Sequence, residues 1–91
     1  MWQGGNVDQI DFARIPIYAR RTAALRHDAT PHLLEMLADD PDADVRLAVA
    51  GHPATPLESL QRLAGDAVAR VAARAGIQAV VTRVTGESAA S

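Results

Sequence analysis

Asp40-Pro41-Asp42-Ala43-Asp44 sets three carboxylates at alternate positions, the spacing with which a calcium-binding loop begins. The loop then fails. Its sixth position is Val45, where a glycine must make the sharp turn, and its twelfth is Gly51, where a bidentate glutamate must close the shell. Carboxylates just ahead of an apolar run suit a different task, accepting from the unpaired amides at a helix start and favouring the positive end of its dipole. Helix capping is therefore the expected role. His27, His32 and His52, with Asp28 beside the first, have the chemistry of metal ligands. However, His27 and His52 fall at matching points of a repeat, as turn residues do, and His32 falls in a first helical turn exposed to water. No metal is expected. The chain has no cysteine, so it has no thiol nucleophile, disulfide or cysteine-held zinc or iron-sulfur cluster. No serine or threonine stands in a nucleophile context, and no glycine-rich phosphate loop is present. The residues predict neither an enzyme nor a cofactor.

Arginine is the one polar type that recurs with order. All nine basic residues are arginine, which together with the alanine excess reads as the codon usage of a GC-rich, bacterial-like genome. Arg21, Arg46 and Arg70 follow one another at spacings of 25 and 24 and would form a column along one face. Such a column can fork onto carboxylates or phosphates of a partner, or pair with the aspartates of adjoining turns such as Asp42, Asp44 and Asp66. The candidate partner contacts are Arg20, Arg21, Arg46, Arg70 and Arg74, with Trp2 as a candidate either for docking or for covering an apolar end.

The elements that must position these residues come from a repeat. His27-Asp28-Ala29-Thr30-Pro31 returns 25 residues later as His52-Pro53-Ala54-Thr55-Pro56, and Leu37-Ala38-Asp39-Asp40 returns 26 later as Leu63-Ala64-Gly65-Asp66. Each Thr-Pro reads as a helix start, with threonine accepting from an orphan amide and proline in the first helical position; Thr55 with Glu58 spells a capping box. Helices are expected at 17–26, 31–38, 43–50, 56–64 and from about 67 to 85, with Gly86 as the last stop. Tyr18, Ala23, Ala24, Leu25, Leu33, Leu34, Leu37, Val45, Ala48, Val49, Leu57, Leu60, Leu63 and Ala64 are expected to face inward. Residues 1–15, with Gly4-Gly5, Trp2 and Phe12, are expected to cap or dock, 16–85 to form the repeat domain, and 86–91 to be a disordered tail.

At 91 residues the chain has room for one small core, which leaves self-association as an expectation. A net charge of −2 exerts no strong pull on nucleic acid or anionic membrane. No apolar run reaches membrane-spanning length, and no leader is visible; a cytoplasmic protein is expected.

The block from Asp42 to Asp66 resembles a repeat of the leucine-rich repeat variant family, whose pattern runs Asp, Val-Arg, Val-Ala, Asn-Pro, Thr-Pro, then Leu and Leu-Ala-Asp. Here these are Asp42, Val45-Arg46, Val49-Ala50, His52-Pro53, Thr55-Pro56, Leu60 and Leu63-Ala64 with Asp66. Residues 20–40 carry about half of the pattern, and only Asp66 with 70–73 carries it in a third copy. His27 and His52 stand where the family has asparagine, and Asp28 stands where it has proline. The resemblance implies an all-α fold, a short right-handed helical solenoid of about two and a half repeats. It implies no shared enzymatic activity, and the cysteine-bound cluster of some members has no ligands here. The expected function is a non-catalytic interaction or scaffold module for a protein or peptide. The alternatives are a nucleic-acid binder using the arginine column and a structural subunit of a larger assembly.

Overall fold

A computed structural model describes residues 14–90, with side chains through residue 86. The segment 1–13, including Trp2 and Phe12, and Ser91 lie outside the described residues. Five α-helices follow in order: α1 Ile17–Leu25, α2 Pro31–Leu37, α3 Ala43–Ala50, α4 Leu57–Leu63 and α5 Ala69–Ala90. No strand occurs among the described residues.

α1, α3 and α5 form one row, with α3 packed against both of the others; α2 and α4 form the second layer, and α3 touches each of them as well. The core lies between the rows. Leu34, Leu37, Val45, Val49, Leu60 and Val71 are fully enclosed, with Ala24, Ala50 and Ala75 filling the close helix approaches. Each large side chain gains about 1.5–3 kcal/mol from leaving water, so these six outweigh the alanines between them.

The register of the repeat is 26 residues for the helix starts and for the aspartate turns: α1 begins at 17 and α3 at 43, α2 spans 31–37 and α4 spans 57–63. α3 is one residue shorter than α1, which brings the Thr-Pro pair of the second copy one position early. Thr30 therefore caps α2, its hydroxyl accepting from the Leu33 amide at 3.2 Å. The expected capping box at Thr55 and Glu58 does not form. Pro56 takes the N-cap of α4, and the buried Thr55 hydroxyl turns back to donate to the Val49 carbonyl at 2.7 Å, near the end of α3.

Three further expectations are corrected. Tyr18 and Leu25 were expected inward but are 74% and 63% exposed. The inward stripe of α1 is Arg20 and Ala24, one turn apart, and residues 18, 21 and 25 share the opposite face. Ala64, at the C-cap of α4, is exposed. α5 begins at Ala69, not near Ala67, and continues through Gly86 to Ala90. Gly86 stops nothing because no left-handed backbone turns the chain there, and nothing lies within 4 Å of the place a Cβ would take.

Candidate functional site

Each turn between repeats is tied by one buried or half-buried arginine. Arg20 reaches across 20 residues to Asp40, with Nε 2.7 Å from Oδ2 and Nη2 3.3 Å from Oδ1. Arg46 reaches Asp66 over the same interval, at 2.8 and 3.2 Å. The third guanidinium nitrogen of each returns to the turn before its own helix: Arg20 Nη1 donates to the Ile15 carbonyl, and Arg46 Nη1 donates to those of Asp40 and Pro41 at 2.9 and 3.1 Å. Each aspartate also accepts from the amide two residues on, Asp42 at 2.9 Å and Val68 at 2.8 Å. The matched arginines are therefore Arg20 and Arg46. The series through Arg21 is out of register by one residue.

The Arg46 guanidinium, helped by the Val68 amide, holds the Asp66 carboxyl below its ordinary range against the opposing effect of burial, and the same hydrogen bond raises Arg46. Arg26 likewise lowers Asp28 through a two-pronged contact at 2.9 and 3.0 Å, out in solvent. Asp42 caps α3 as its place predicts, accepting from the Asp44 and Val45 amides. Asp44 receives Arg70 at 2.8 Å.

His52 is 5% exposed. Its Nδ1 accepts from the Ala54 amide at 2.9 Å, which leaves Nε2 as the donor to the Arg26 carbonyl at 2.6 Å. The imidazole thus makes a turn bond within its own repeat and reaches the end of α1 in the preceding one. His27 is exposed. The described residues contain no group of three or more His, Cys, Asp or Glu placed to hold a metal.

On the outer side of the α1-α3-α5 row, a groove of about 380 Å³ is lined by Arg21, Leu25, Asp44, Leu47, Ala48, Gly51 and Arg74. Arg21 and Arg74 are exposed, and among the described residues neither guanidinium has a hydrogen bond or ion pair. Arg74 lies across the end of α3: a Cβ on Gly51 would sit 2.9 Å from Arg74 Nε and 3.2 Å from Nη2. Glycine here makes the seat for that side chain. Farther along α5, Ile77, Val80, Val81 and Val84 are between 48% and 60% exposed and form a continuous apolar stripe at helical spacing.

The predicted contact residues thus divide. Arg20 and Arg46 are built into the repeat junctions, Arg70 pairs on the surface, Arg21 and Arg74 meet at the groove, and Trp2 lies outside the described residues. Sequence reasoning missed Gly51, which reads only as a helix stop, Leu25, whose type predicts the core, and Leu47, to which the pattern gives no role. Helical phase was the available signal, since Arg21 and Leu25 are one turn apart.

A family model, leucine rich repeat variant, matches residues 43–68, which span α3, α4 and the Asp66 turn. No curated protein and no solved structure matches the chain. The matched segment is a helical repeat unit, and the described residues contain no helix long and apolar enough to cross a membrane.

Proposed function

We propose that this chain is a non-catalytic interaction module that binds a protein or peptide on the outer face of the α1-α3-α5 row. The observation that carries the reading is the groove itself, where two guanidiniums without internal partners flank Leu25, Leu47 and Ala48. Stacked helix pairs hold such a face rigid, so little ordering entropy is lost on binding. The match to a repeat family supports a module of this kind. A phosphate-binding arginine column has weaker support, because the matched Arg20 and Arg46 already engage Asp40 and Asp66.

Photocrosslinking in the native cell extract tests this, with benzoylphenylalanine in place of Leu25 on the groove or of Glu35 and Gln61 on the other layer. Protein adducts concentrated at position 25 are expected. Equal labelling at all three positions, or adducts with nucleic acid alone, would refute the proposal.

A structural subunit completed by docking onto a larger assembly is the second reading, favoured by the bare Ile77-Val80-Val81-Val84 stripe on α5. Light scattering that finds a stable, fully monomeric protein at all concentrations would count against it.

A further inference from the structure

We infer that the groove between α1, α3 and α5 takes an acidic peptide, with a carboxylate on Arg21 and Arg74 and a neighbouring aliphatic side chain against Leu25, Leu47 and Ala48. The inference rests on the outer row being the binding face and goes on to name the chemistry of the occupant. Charge selects it. Of the three charged side chains lining the groove, Asp44 is neutralised by Arg70 at 2.8 Å, which leaves Arg21 and Arg74 as its uncompensated charges. A guanidinium is weakly hydrated and presents a planar fork that fits a carboxylate, so its ion pair loses less to desolvation than a lysine's would. Arg74 lies over Gly51, which places its guanidinium at the groove.

The remaining lining separates a peptide from a nucleic acid. Among the described residues its floor is aliphatic, and the one exposed ring on that face of α1, Tyr18, is not part of the lining. The chain as a whole carries −2, which opposes the approach of a polyanion and tolerates a short peptide with one or two acids. The cavity, about 380 Å³, has room for a few side chains.

The test uses the full chain and fluorescence anisotropy with three probes: a fluorescein-labelled dodecapeptide of Gly and Ser around a single Glu-Leu pair, its Gln-Leu isostere, and an oligouridylate of equal length. The glutamate peptide is expected to bind on the order of tenfold more tightly than the glutamine one, and Arg21→Gln and Arg74→Gln each to remove most of that difference. Neither arginine has a partner to lose, so both variants should melt with the wild type. Gly51→Ala keeps both charges but forces Arg74 from its seat, and is expected to weaken the glutamate peptide alone. Equal affinity for the two peptides, preference for oligouridylate, or no binding of the glutamate peptide overturns the inference. If that peptide fails while adducts at position 25 persist, the face still binds a partner and only its acidic character is wrong.

Discussion

Asp40 and Asp66 hold the same place in successive turns, yet burial gives them different energetics. The side chains of Arg20 and Asp40 are 6% and 0% exposed, those of Arg46 and Asp66 are 18% and 10%, and those of Arg70 and Asp44 are 58% and 49%. Removing one charge of a buried pair strands the other, which costs about 3–5 kcal/mol, whereas an exposed pair contributes about 0–1 kcal/mol. Asp40→Asn keeps an acceptor for the Asp42 amide and removes only the charge, so urea unfolding should show a loss in the larger range. Adding Arg20→Met should restore most of it, because the stranded guanidinium is gone. Arg70→Ala should cost under about 1 kcal/mol by the same measurement. If Asp40→Asn were no worse than Arg70→Ala, the junction would not depend on its buried charge. The sequence made it legible that arginines meet turn aspartates, but not which arginine does so. Arg20 and Arg21 are adjacent and chemically identical, and only the inward phase of α1, fixed by Ala24 against α3, separates a structural residue from an available one.

Helix positions were legible because proline, aspartate and leucine punctuate the chain at fixed intervals, and α3 occupies the span its caps predict. The ends were harder, since a helix end depends on what the neighbouring element supplies. Thr30 and Thr55 show this. At Thr30 the hydroxyl serves the start of its own helix, and at Thr55 it serves the end of the helix before. Thr30→Ala should cost about 1 kcal/mol, the usual value of a lost N-cap. Thr55→Val keeps the shape and takes one donor from the Val49 carbonyl, which retains the His52 amide at 3.1 Å; chemical denaturation should show a loss of about 0.5–1.5 kcal/mol. No loss at Thr55 would mean that its hydroxyl does not hold the end of α3. Gly86 fails as a stop for the same reason: a glycine ends a helix only where the chain adopts the backbone that glycine permits.

At the scale of the whole molecule, α3 packs against every other helix, and the Arg46-Asp66 pair fastens it to the turn that starts α5. Stability should therefore be lost in one step, and its acid limb should report on this link. The Asp66 carboxyl is held below its ordinary value of 3.8 by Arg46 and the Val68 amide. A group whose folded value lies below its unfolded one contributes fully above the unfolded value, and that contribution vanishes as pH falls through the folded one. Asp66→Asn removes this contribution. At neutral pH the variant should be less stable by about 1.5–3 kcal/mol, the range for a hydrogen bond to a charged group. In urea titrations at descending pH, the gap between wild type and variant should stay constant down to about pH 4 and then close, since protonation takes from the wild type what the substitution has already taken. A gap that holds unchanged well below that range would show that the Asp66 charge contributes nothing to the junction, leaving neutral hydrogen bonds and the packing of α3 and α4 on α5 to hold it.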